Sequence, residues 1–122
     1  MRIFSMLIAL MAILSVPSQT AEAKVIKRGV YGAIALQRET GLIGYSYDFK
    51  SARDAKIEAL KECGDPRCEV VVNIKNSCGA LARGPKKFFP ATGATREEAE
   101  TKALRACADK KQCQIAGWAC TK

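Results

Sequence analysis

Two periodicities alternate along this chain, one helical and one strand-like. Over residues 51–63, Ala52, Ala55, Ala59 and Cys63 recur at helical spacing, Leu60 lies at the stripe's edge, and Lys, Arg and Glu fill the other faces. Over residues 95–107, Ala99, Ala103, Leu104 and Cys107 repeat that stripe. Ser51 and Thr95 are N-cap residues, each followed three positions later by an acid, Asp54 or Glu98, that marks a helix start. Gly64 suits the left-handed turn that ends a helix. Ile57 points away from its stripe. A stripe made mostly of alanine implies close approach to a sheet. Residues 30–37, 42–49, 69–75, 79–82, 88–91 and 114–119 are apolar or alternating and read as strands, separated by Gly, Pro, Asn and charged turn signals.

These elements are used twice. Ala55, Ala59, Leu60 and Cys63 match Ala99, Ala103, Leu104 and Cys107 at one offset of 44. Downstream, Cys68-Glu-Val70 matches Cys113-Gln-Ile115 with one residue inserted. Upstream, Tyr31-Gly-Ala-Ile-Ala35 resembles Cys78-Gly-Ala-Leu-Ala82. A duplicated hairpin-helix-strand unit follows. It predicts an α+β fold: an antiparallel sheet with two equivalent helices on one face.

The chain starts with a third pattern. Met1 and Arg2 precede an apolar run, 3–16, broken only by Ser5 and Ser15, and Ala21-Glu-Ala23 supplies the small residues of a cleavage site. This is the signature of a secretory signal peptide, residues 1–23. About 14 apolar residues fall short of the ~20 that a spanning helix needs. Residues 24–122 are then a single secreted domain, with its internal repeat at about 30–77 and 78–120.

All six cysteines lie in that domain, and an even count in a short exported chain reads as three disulfides. The repeat suggests Cys63 with Cys68 and Cys107 with Cys113, each within its own copy, leaving Cys78 with Cys120. That choice among fifteen pairings rests on symmetry, and it makes the long crosslink the expected tie between the copies. No Cys pair has zinc-knuckle spacing and the chain has no histidine, so neither a metal nor any other cofactor is expected.

The arrangement Ala-x-x-x-Ala-Leu-x-x-Cys, then Cys-x-Val, then Asn76-Ser-Cys78-Gly-Ala-Leu-Ala82, then a second such helix and a final Cys120, resembles a bacterial secreted family, domain of unknown function 4189. The resemblance runs from about Val30 to Cys120. It implies a bacterial envelope or secreted protein and supplies no activity or catalytic residue.

The search for chemistry is short. Without histidine, the Ser-His and Cys-His nucleophile arrangements are excluded. Glu39 and Asp48, on the first predicted hairpin, are the only carboxylates that invite a glycosidic reading. Nucleic-acid fingerprints are absent. The net charge is +8, and removal of the signal leaves it unchanged. Such a charge favours anionic partners. Gly84-Pro-Lys-Lys-Phe-Phe-Pro90 frames two lysines and two phenylalanines in a turn, and Lys110 and Lys111 add charge elsewhere. Lys86, Lys87, Phe88, Phe89, Lys110 and Lys111 are therefore the candidate contacts, although a strand start would instead carry a Phe into the core. Trp118, beside the last cysteine, is expected to pack on a disulfide. The expectation is a monomeric, non-enzymatic periplasmic or secreted module that binds an anionic envelope component or an acidic protein. The alternative is an inhibitor or immunity protein against an envelope-directed enzyme.

Overall fold

The structure, a computed structural model, describes residues 29–108 and 112–121. The expected signal peptide and the candidates Lys110 and Lys111 lie outside the described residues. Eight elements follow in order: β1 (Tyr31–Leu36), β2 (Ile43–Phe49), α1 (Ala52–Cys63), β3 (Glu69–Lys75), β4 (Cys78–Arg83), β5 (Phe88–Gly93), α2 (Arg96–Cys107) and β6 (Gln114–Cys120). Both helices begin as their sequences dictate. The Ser51 hydroxyl accepts from the Asp54 N–H at 3.1 Å, and the Thr95 hydroxyl accepts from the Glu98 N–H at 3.2 Å. The Glu98 carboxylate in turn accepts from the Ala94 N–H at 3.2 Å. Gly64 ends α1 with φ 76°, and Ala108, without glycine's freedom, ends α2 with φ 60°.

The strands divide between two antiparallel sheets, ordered β2-β1-β3 and β5-β4-β6. Each sheet holds one helix on one face and meets the other sheet through its opposite face. In β1, Ala33 and Ala35 pack against Ala55, Ala59 and Cys63 of α1. The alternate residues Ile34 and Leu36 enter a central core with Val72, Ile74, Leu81 and Ala119 from both sheets. In β4, Ala80 and Ala82 pack against Ala99 and Ala103 of α2. The result is a four-layer α/β/β/α stack. Alanine lets each helix lie close to its sheet, while the branched side chains fill the space between sheets. Each fully buried Ile or Leu there contributes about 1.5–3 kcal/mol. Ile57 is 54% exposed, as its place off the stripe requires.

All three disulfides pair as the repeat suggests: Cys63–Cys68, Cys107–Cys113 and Cys78–Cys120. The expected role of the long one needs correction. Cys78 opens β4 and Cys120 closes β6, directly opposite each other in one sheet, so the bond closes the second copy and does not join the two. The first copy has the same pair of positions, Tyr31 opposite Lys75. There the Lys75 ammonium lies 5.6 Å from the Tyr31 ring centroid. A cation–π contact thus stands where the second copy has a covalent bond.

Hydrogen bonds just outside these pairs repeat as well. Asn76 N–H donates to the Val30 carbonyl at 3.0 Å and Val30 N–H to Asn76 Oδ1 at 2.9 Å. In the second copy Thr121 N–H donates to the Ser77 carbonyl at 2.8 Å and Ser77 N–H to Thr121 Oγ1 at 3.1 Å. Asn76 and Ser77 are chain neighbours, so this doubled latch sits where one copy passes into the next.

The copies differ in how the helix meets the outer strand. Gly44, opposite Ala35, lies against the backbone of Ala59 and Cys63 near the end of α1. Its counterpart Phe89, opposite Ala82, is bulky. At the other end of these strands Phe49 is bulky and its counterpart Gly93 is not. A Cβ on Gly93 would stand 2.7 Å from the Ala99 nitrogen. Helix α1 therefore approaches β2 through its C-terminal half, and α2 approaches β5 through its N-terminal half.

Candidate functional site

The turn between β4 and β5 carries the charge expected of it. The Gly84 N–H donates to the Lys87 carbonyl at 2.9 Å and closes the turn, with Lys86 and Lys87 exposed on it. The Arg83 guanidinium lies 5.8 Å from the Phe88 ring centroid. Among the described residues, Arg83, Lys86 and Lys87 take part in none of the ion pairs, which occupy Arg38, Arg67, Arg96 and Lys102. The phenylalanines have another duty. Phe88 packs against the central core and Phe89 against the α2 cluster, and both are half-buried. They begin β5 and point to opposite faces, as adjacent strand residues must. The structure gathers Arg83, Lys86 and Lys87 into one cationic end with Phe88 beneath it.

Glu39 and Asp48 do not converge. Glu39 belongs to the tip of the β1–β2 hairpin and accepts from Arg67 at 2.8 Å. Asp48 sits near the far end of β2, at the strand's bulge, with a φ of 63°. Strand residues from Ile43 to Asp48 span on the order of 17 Å, more than a pair of glycosidic carboxylates requires. The hairpin tip is held by Gln37, whose side-chain oxygen accepts from the Glu39 N–H at 2.6 Å.

A second surface escaped sequence reasoning. One outer strand of each sheet, β2 and β6, run beside each other along one flank. Tyr45 of β2 reaches across until its hydroxyl lies on Gly117 of β6, where any Cβ would overlap it. Burial there pushes the Tyr45 phenol above its ordinary pKa. Tyr47 (58% exposed) and Trp118 (41% exposed) flank it and line a cavity of about 410 Å³ with Tyr45. The Arg96 guanidinium stacks 3.9 Å from the Trp118 ring centroid. Arg96 also donates to Glu100 at 2.7 Å. A neighbouring cavity of about 430 Å³ follows β2 from Ile43 to Tyr47, with Glu58 and Glu62 of α1 above it. On the opposite flank β3 meets β5, and Val72 and Pro90 stand at the positions equivalent to Gly117 and Tyr45. Tyr45 and Tyr47 read from sequence as sharing one strand face. That Trp118 would join them depends on the crossing of two sheets, which strand alternation does not encode.

Comparison with known proteins places this geometry among relatives. Residues 31–120 match the family described as Domain of unknown function (DUF4189). The uncharacterized protein Rv1813c of Mycobacterium tuberculosis is 36% identical over 90 residues, which cover 74% of this chain and 59% of that one. Protein Rv1269c of the same organism is 35% identical over 75 residues, covering 62% of this chain and 59% of its own length. The chain thus spans 59% of the length of these relatives. The NMR structure of Rv1813c has the same fold, with a TM-score of 0.60 at 34% identity over 75% of this chain and 74% of that chain.

Proposed function

The chain belongs to the family described as Domain of unknown function (DUF4189), and from its own surface we propose that it is a non-enzymatic binding module for an anionic envelope component or an acidic protein. The observation that carries this reading is the cationic end of the β4–β5 hairpin. Arg83, Lys86 and Lys87 are exposed together there and unpaired among the described residues. They sit on a strand pair fixed by the core through Phe88 and Phe89, so little order is lost when a partner docks. The proposed setting is the periplasm or the exterior of a bacterium. The signal-peptide pattern of residues 1–23 supports it, as do three disulfides, which persist in oxidising compartments.

The test is cosedimentation of the oxidised protein with vesicles containing phosphatidylglycerol, and in parallel with an acidic polymer. Binding to either weakens as salt rises, because screening shortens the reach of exposed charge. Replacing Lys86 and Lys87 together with alanine weakens vesicle binding about thirtyfold, at about 1 kcal/mol per lysine near an anionic surface. Equal retention on neutral vesicles, or binding indifferent to salt, overturns the proposal. A salt-indifferent one-to-one complex with an envelope enzyme would favour an inhibitor instead.

A further inference from the structure

We propose that the exposed edge of β2 binds an extended, lysine-bearing peptide by strand addition. This lies beyond the anionic-partner reading and uses a different surface. Strand β2 is the outermost of its sheet, so its outward N–H and C=O groups have no strand partner among the described residues. Natural edges are blunted by Lys, Pro or bulges. The edges on the other flank have such guards, Pro90 in β5 and the charged ends Glu69 and Lys75 in β3. From Ile43 to Tyr47, β2 has neither a charge nor a proline, and its bulge, where Asp48 takes a φ of 63°, comes only at the far end, after the pair Ala33–Ser46.

What lies beside this edge selects the occupant. The cavity along β2 is overhung by Glu58 and Glu62, and neither carboxylate is in an ion pair among the described residues. A local acidic rim on a chain of net charge +8 is complementary to cationic side chains. Tyr47, 58% exposed at the same cavity, offers an aromatic face to an ammonium group. An extended peptide pairing its backbone with β2 would present alternate side chains to that rim. A second copy of the chain is a poorer occupant. Two β2 edges side by side would bring Glu58 and Glu62 of both copies together, and like charges opposed across strands destabilise.

The experiment titrates the oxidised full chain with a capped eight-residue peptide alternating Lys and Val, read by amide chemical shifts and amide exchange. Saturable shifts and slowed exchange centred on residues 43–47 are expected. Glu58→Gln with Glu62→Gln weakens the peptide on the order of tenfold. Tyr47→Ala, at an exposed position, also weakens it and serves if the double variant folds poorly. Lys86→Ala with Lys87→Ala leaves it unchanged, which separates this site from the cationic hairpin. A Glu-Val peptide of equal length gives no shifts at residues 43–47. Equal shifts at residues 43–47 with the acidic peptide, lysine-peptide shifts centred on another strand, no saturation at millimolar peptide, or a dimer in sedimentation with protection at residues 43–47 each overturn the proposal.

Discussion

Removing the Cys78–Cys120 bond is expected to be the most damaging single crosslink loss, and to damage both halves alike. The bond closes a sequence separation of 42, against 5 and 6 for the other two. In the chain-entropy model the long loop contributes about 4 kcal/mol and each short loop about 2 kcal/mol. For a domain this size each kcal/mol shifts Tm by roughly 4–8 °C. Cys78→Ala with Cys120→Ala should therefore lower Tm by roughly 15–30 °C, and Cys63→Ala with Cys68→Ala by about half as much. The effect acts on the unfolded chain, and both sheets share the core of Ile34, Leu36, Val72, Ile74 and Leu81. Unfolding should stay a single transition, and the slowest amides of β1 and β4 should lose the same protection. Thermal unfolding followed by circular dichroism gives the first quantity, and native-state hydrogen exchange gives the second. A larger loss from the short crosslinks, or a loss confined to β4 and β6, would refute the reasoning.

Three further outcomes follow from particular residues. Gly44→Ala would drive a Cβ into the backbone of α1 at Ala59 and Cys63, with no flexible side chain to yield, and should cost at least the ~1–3 kcal/mol of overpacking; chemical denaturation measures it. Ala108→Gly, at a left-handed helix end with φ 60°, should stabilise by about 0.5–1 kcal/mol in the same assay, because relief of strain exceeds the entropy added to the unfolded chain. A hydrogen bond from the Arg67 backbone N–H holds Asp65 below its ordinary pKa of 3.8, and Lys102 holds Glu98 below 4.5. A lowered folded pKa gives stability that is present above the unfolded value and lost as pH falls through the folded one. Acid titration of stability should therefore fall away below about pH 4, and less steeply in Asp65→Asn with Glu98→Gln.

Much of the fold was legible because local and duplicated signals agreed. Ser51 and Thr95 cap where their hydroxyls fall, and Ala55, Ala59, Ala99 and Ala103 become the buried helix faces, whereas Ala52 at the first turn of α1 and Leu104 at the stripe's edge are exposed. The disulfide pairing followed from equating Cys63 and Cys68 with Cys107 and Cys113. The division into two sheets was less accessible. It rests on β1 and β4 being covered on both faces, alanine toward a helix and Ile or Leu toward the other sheet, and such a run names no partner. The role of Cys78–Cys120 was misread for the same reason. Chain separation looked like distance between copies, whereas an antiparallel sheet returns the last strand of a copy beside its first. Of the candidate contacts, the lysines at the hairpin were legible as charge, but the duty of Phe88 and Phe89 in two separate clusters depended on register.

The duplication explains why one flank is closed and the other open. Equivalent strands meet on both flanks, β2 with β6 and β3 with β5, so an exact repeat would give two identical seams. Three substitutions between equivalent positions break that equality. On one flank Pro90 faces the strand of Val72, and proline removes a donor from the edge. On the other, Gly117 replaces the valine, and Tyr45 fills the freed space with its phenol. Gly44 then lets α1 come down against β2 and hang Glu58 and Glu62 over its edge, whereas Phe89 holds α2 away from β5 at the matching place. The small residues that permit these approaches lie in the interior, and their consequence is at the surface. Tyr45→Ala with Gly117→Val should therefore restore the valine-lined seam of the closed flank with little loss of stability, while removing the cavities beside Tyr47 and Trp118. If that pair of changes unfolded the protein, the two flanks would not be variants of one design.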